Sequence, residues 1–218
     1  MAAAAVIDEQ AQPTERAALP SSAVHKATAP EVETGEALYA KNQLTVGSPQ
    51  VQRFVEAGPK HAVDALNVDL FFDRSYDERL RRMVEHVAQV EGPVLETVLA
   101  RRIARAHGWQ RTGARIQERV TAIAAKVLKA TEEDVGTFFW HSSRGPEEPV
   151  HFRSGGEEPR GVEEVCLAEL VALARVVCEE GKSGDSAVAA MAHALGLRHV
   201  RAANRNLLEK ALELASRA

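Results

Sequence analysis

Between Asp73 and Lys129 three successive runs carry apolar residues at the three-and-four spacing of an α-helix, and only a few residues separate one run from the next. In "SYDERLRRMVEHVAQVEG" the repeat is Leu80, Met83, Val84, Val87 and Val90, with Asp73 and Ser75 as capping candidates and Gly92 and Pro93 as the stop. A second helix is expected from Glu96 to Ala106, with Val98, Leu99 and Ile103 on one side, ended by His107 and Gly108. A third is expected to start at Thr112, an N-cap worth about 1 kcal/mol over Ala, and to bury Ile116, Val120, Ile123 and Val127. Three helices this short, on connections this tight, must pack on one another. That is the core of a helix-turn-helix unit.

The period then changes. In "TEEDVGTFFWHSS", Asp134 and Gly136 supply turn chemistry and "TFFWH" is a β-type apolar run, so a short hairpin is expected to follow the third helix as a wing. Residues 162–218 replay the three helices: Ala104, Ala106 and Gly108 lie over Ala192, Ala194 and Gly196, and Gly92 lies over Gly181 across one gap. Duplication is the reading taken; its alternative is that any two short helix-turn-helix segments share Ala and Gly at such places. The copies differ chemically, because "QRTGAR" in the first becomes "RHVRAA" in the second.

The expected fold is mainly α, two tandem helix-turn-helix, winged-helix-like units with a β-hairpin wing after the first. Its parts are a leader or linker at 1–37, short extended segments packing on the core at 38–72, a first unit at 73–142, a linker at 143–161 and a second unit at 162–218. Composition agrees: 45% hydrophobic residues suffice for a core, and 5% aromatics with abundant Ala, Leu, Glu and Arg favour helix over sheet. No apolar run approaches the ~18 residues of a membrane span, and "MAAAAVIDEQ" meets Asp8 and Glu9 too early for a signal peptide. Cys166 and Cys178 lack a CxxC pattern and read as small apolar residues on the buried side of one helix. A soluble, cytoplasmic protein is expected.

Charge is distributed unevenly. From residue 101 to 129 there are eight cations (Arg101, Arg102, Arg105, Arg111, Arg115, Arg119, Lys126, Lys129) and one acid, Glu118, although the whole chain has net charge −4. In a helix-turn-helix the N-terminal part of the third helix enters the major groove. Gln110, Arg111, Thr112, Arg115 and Arg119 would sit there, with Lys126 on the same stripe and Arg101 and Arg105 on the preceding helix. Arg198, Arg201 and Arg205 form a weaker counterpart in the second copy. The competing reading is an Arg-rich solvated face. Arg111, Arg115 and Arg119 are left with no structural duty, whereas Trp109 reads as a core plug rather than a base-stacking ring.

Catalytic signatures are absent: no GxSxG or HExxH occurs, and "EEGKSGDS" has Val176 where a phosphate-binding loop needs Gly. His193 and His199 lack metal-type spacing, and the carboxylates of "GPEEP" and "GEEPR" sit in linker composition. No enzyme activity, metal or cofactor is expected.

"EGPVLETVLARRIARAHGWQRTGARIQERV", preceded by "FFDRSYDERL" and followed by "FFW", "PVHFR" and "VEEVCLAELVALARVVCEEG", resembles the bacterial domain of unknown function 3320 family over roughly residues 70–216. In that family the domain ends very large proteins that combine a superfamily 1 helicase-type ATPase with a restriction-endonuclease-like domain. The resemblance implies a DNA-associated accessory role in defence against foreign DNA, with a helicase or nuclease as partner or parent, and it brings no catalytic residues. One departure is the second copy's "RTG"-like turn, replaced here by Val200 and Arg201. The alternative function is a protein-interaction module, dimerising or docking a subunit through an Ala/Leu-rich last helix with Leu207, Leu208, Leu212 and Leu214.

Overall fold

A computed structural model of the chain describes residues 33–34, 51–155 and 160–217. Residues 1–32 and 35–50, with the leader and the "ALYAKNQLTV" stretch, lie outside the described residues, as do Glu157 and Glu158 of "GEEPR". The described part is mainly helical.

The first helical unit has the order α–β–α–α–β–β. Helix α1 spans Asp77–Glu91, strand β3 Val94–Leu95, helix α2 Glu96–Ala106, helix α3 Ala114–Val127, strand β4 Lys129–Glu133 and strand β5 Gly136–Trp140. Two earlier strands are β1, Glu33–Thr34, and β2, Gln52–Arg53. β4 and β5 form the hairpin expected from "DVG", with Glu133 opposite Gly136 across a two-residue turn. Strand β3 is short because Pro93 and the N-terminus of α2 confine it, and it pairs antiparallel with β5, Val94 opposite Phe139. Strand β1 lies parallel to β4, so the sheet order is β1-β4-β5-β3. Phe138 and Phe139 are buried. They close a core built by Leu80, Met83, Val84 and Val87 of α1, Leu99 and Ile103 of α2, and Val120 and Ile123 of α3.

The helix ends follow from residue chemistry. Asp73 accepts a hydrogen bond from the Ser75 N–H at 2.7 Å and opens a turn of 3₁₀-helix at Arg74–Tyr76, which leads into α1. Thr112 is not the N-cap of α3. Gly113 occupies that position, with extended backbone and no side chain to take up the first N–H groups. Gly108 closes α2 at φ +85, and the Trp109 N–H returns to the Ala104 carbonyl at 3.1 Å. This is the six-to-one bond of a Schellman end.

The second unit consists of α4, Leu167–Glu179, α5, Gly184–Ala194, and α6, Ala202–Ser216. Its α5 ends as α2 does: Gly196 has φ +74 and the Leu197 N–H bonds to the Ala192 carbonyl at 2.9 Å. Ala104, Gly108 and Trp109 thus correspond in geometry to Ala192, Gly196 and Leu197. Gly92 and Gly181 do not correspond. Gly92 is extended and leads into β3, while Gly181 is left-handed at φ +78 and leads straight to α5. The second unit has three helices without a hairpin, and its core is Leu170, Leu173, Val188, Met191 and Leu208. Leu207, Leu212 and Leu214 pack against that same core, so the apolar side assigned to subunit pairing is used within the unit. Cys166, at the start of α4, is buried, but Cys178 is exposed; the two do not share a buried face.

The stretch between the units is anchored by its aromatic residue. Phe152 is buried in the second core, and strand β6, Arg153–Ser154, pairs in parallel with β2. No helix among the described residues is long and apolar enough to cross a membrane.

Candidate nucleic-acid interface

Tertiary structure sorts the eight cations of residues 101–129 into two groups. Four meet carboxylates brought from elsewhere in the chain. Arg101 pairs with Glu164 at 2.7 Å, Arg102 with Glu91 at 2.9 Å and Glu56 at 2.8 Å, Arg119 with Asp77 at 2.7 Å, and Lys129 with Glu147 at 3.3 Å. Arg105, Arg111, Arg115 and Lys126 have no carboxylate partner among the described residues, and all four are exposed.

Arg119 departs furthest from the free, groove-facing cation expected at its position. Its guanidinium donates to the Asp73 carbonyl and to Asp77 Oδ1, both at 2.7 Å, and it lies 6.0 Å from the centre of the Phe71 ring. It ties α3 to the start of α1, so it has the structural duty that the sequence did not reveal. Arg101 is likewise engaged, by the second unit.

The open side of α3 carries Arg115, Ala122 and Lys126 at steps of seven and four, hence on one stripe. Together with Phe72 they border a shallow depression of about 350 Å³, whose acids are Asp77, held by Arg119, and Glu118. The Arg115 guanidinium stands 4.9 Å over the Phe72 ring. Phe72 itself is 46% exposed, whereas its neighbour Phe71 is completely buried. At the head of the helix, Gln110 and Arg111 are exposed and Thr112 half-buried, next to first-turn N–H groups that no side chain caps. Such an end attracts anions.

A packed aromatic cluster fixes the α2–α3 turn. Trp109 stacks on His107 at 5.4 Å and meets Phe71 edge-on at 4.8 Å, so it does plug the core. His107 Nδ1 donates to the Ile103 carbonyl at 2.8 Å, which leaves Nε2 to accept from the Tyr76 hydroxyl at 3.1 Å. Burial pushes this imidazole below its ordinary pKa, and the neutral ring is the one the two bonds require. The turn that presents Gln110 and Arg111 is therefore rigid.

In the second unit Arg198 and Arg201 are exposed ahead of α6, but Arg205 is neutralised by Asp185 at 2.9 Å and Glu209 at 2.8 Å. The weaker cluster loses one of its three members. Phe72 is the residue that sequence reasoning missed, and the "FF" pair gave no signal of it, since the adjacent Phe138 and Phe139 of β5 are both buried. No group of three His, Cys, Asp or Glu that could hold a metal ion occurs among the described residues.

No curated protein and no solved structure matches the chain. Residues 69–118, from the Phe71–Phe72 pair through α1, β3 and α2 to the first turn of α3, match the model of a family described as "Protein of unknown function (DUF3320)", and in that segment the chain is similar to that family.

Proposed function

We propose that this chain is a DNA-binding accessory module, working with a helicase- or nuclease-type partner or parent protein of the kind used against foreign DNA. The observation that carries the reading is the sorting of charge around α3. Half of the local cations are consumed by ion pairs, and those that remain at α3, Arg111, Arg115 and Lys126, lie at its head and along its open stripe. The order α–β–α–α–β–β supports a winged helix, in which α3 takes the place of the recognition helix. The three helices of 162–217, with the matching turn at Gly196, support a second, wingless copy. Gln110, Arg111, Thr112 and Arg115 then meet phosphates and base edges, Lys126 and Arg105 extend the electrostatic footprint, and Arg198 and Arg201 add a minor contact. Arg101, Arg119 and Arg205 act in the fold instead. ATP-driven or cutting steps belong to the partner or parent.

About four unpaired cations set the salt dependence. Affinity for a duplex should fall about 10²-fold between 50 and 200 mM salt, less than the ~10³-fold that six phosphate contacts would give. Fluorescence anisotropy with a salt titration measures this slope. The Arg111→Ala/Arg115→Ala/Lys126→Ala variant should lose most of the slope along with the affinity; a flat response of the unaltered protein defeats the reading.

A further inference from the structure

We infer that Phe72 and Arg115 form a seat for an unpaired DNA base beside the duplex-facing side of α3, so that the preferred ligand is a duplex with a single-stranded extension; this rests on the DNA-binding reading above. Charge alone does not explain the surface. A site built only to hold phosphates needs cations and N–H groups, yet here three large apolar side chains, Val68, Leu70 and Phe72, are exposed within five positions. Phe72 lies at the edge of the same depression as Lys126. Phe71 provides the core contact, being fully buried against Trp109 and His107, and Phe72 meets it edge-on at 5.0 Å while remaining 46% exposed, so much of the second ring is left to solvent.

The chemistry of the pair is specific. Arg115 has no carboxylate partner among the described residues and rests on the Phe72 ring in a solvent-exposed cation–π contact, the weak kind that a better partner for either group can replace. An intact duplex offers base edges and phosphates but keeps its base faces stacked inside. A base released from the stack offers a π-face. A base that displaces the guanidinium from the exposed ring gains that face and frees the cation to hold the adjoining phosphate. Arg111, ahead of α3, and Lys126, about three turns beyond Arg115, continue the cationic track in both directions along the helix. Stacking of one base corresponds to roughly a tenfold gain in affinity.

The test is anisotropy at about 100 mM salt with four labelled DNAs: a blunt duplex, the same duplex with a short 5′ extension, the same duplex with a short 3′ extension, and the single strand alone. One of the two extended duplexes should bind about tenfold tighter than the blunt one. Phe72→Ala should bring that ratio close to one, and Phe72→Trp should restore it. Because Phe72 is half-exposed and meets Phe71 only edge-on, Phe72→Ala should lower the thermal midpoint by no more than a few degrees and Phe72→Trp should keep it, and both variants should show the parent's circular dichroism at the assay temperature, which controls for folding. Equal binding of the blunt and both extended duplexes, or a preference that Phe72→Ala leaves intact, overturns the base seat while the DNA-binding reading stands. Absence of binding to every one of these DNAs, together with a flat response in the salt titration above, overturns both.

Discussion

Arg111, Arg115 and Arg119 are indistinguishable by type and spacing, and they end in three different situations. Arg111 is free in solvent, Arg115 rests on an exposed ring, and Arg119 is locked between the Asp73 carbonyl and the Asp77 carboxylate. Two charge-assisted hydrogen bonds at a site this open, with the Asp77 side chain 46% exposed, are together worth about 1–2 kcal/mol. Arg119→Ala should therefore lower stability by about that amount in urea denaturation, and Arg111→Ala should leave the midpoint where it is. Thr112 gives a second contrast. A true N-cap Thr replaced by Ala costs about 1 kcal/mol, but Gly113 holds the cap here, so Thr112→Ala should cost under about 0.5 kcal/mol. A larger loss would mean that the Thr112 hydroxyl does cap the helix.

At the level of elements, the hairpin docks on the second helical unit. Glu133, the last residue of β4, accepts the Leu167 N–H at the start of α4 at 2.9 Å, and Asp134 in the turn pairs with Lys210 of α6 at 2.9 Å. Burial pushes the Glu133 carboxyl up to about 7, against the helix N–H and Lys210, which favour its charge, and with Asp134, which opposes it. The folded state therefore holds a proton that the unfolded chain has lost above its ordinary carboxylate value. This contribution is complete below that value and disappears as pH rises through about 7. Unfolding free energy should decline between about pH 4.5 and 7 by up to about 3 kcal/mol from this group. Glu133→Gln keeps an acceptor for the Leu167 N–H and removes the charge, so urea midpoints at pH 5 and pH 8 should converge in that variant. An unchanged difference would show that Glu133 is not its source.

Across the whole molecule, one buried charge network joins three parts of the chain. Glu169 is completely buried and takes Arg153 at 2.7 Å and Arg160 at 2.6 Å; burial drives its carboxyl upward, but the two guanidiniums outweigh it and hold it below the usual value. Arg153 also donates to the Glu91 and Gly92 carbonyls at 2.7 and 3.1 Å, and both arginines lie over the Phe54 ring. Glu91 in turn accepts from the Ala57 N–H at 2.8 Å and from Arg102. Removing one member of a buried pair strands its partner's charge, at a cost of about 3–5 kcal/mol. Glu169→Ala should show a loss of that size in chemical denaturation, and a loss below about 1 kcal/mol would mean that water reaches the arginines.

Local pattern determined much of this protein. The limits of α2, the hairpin turn at Asp134, the left-handed stops at Gly108 and Gly196 and the inward side of each helix follow from apolar spacing and turn chemistry, because these are set within a turn or two of chain. The concentration of cations over α2, α3 and the turn between them was legible for the same reason. Only tertiary structure decided which arginines are available. Arg101, Arg102 and Arg119 meet acids 63, 11 and 42 positions away in the chain, a distance no local pattern encodes. It also decided that strand β3 forms, since two residues become a strand only against β5, and that Phe72 faces outward, since its neighbour Phe71 fills the one place in the core.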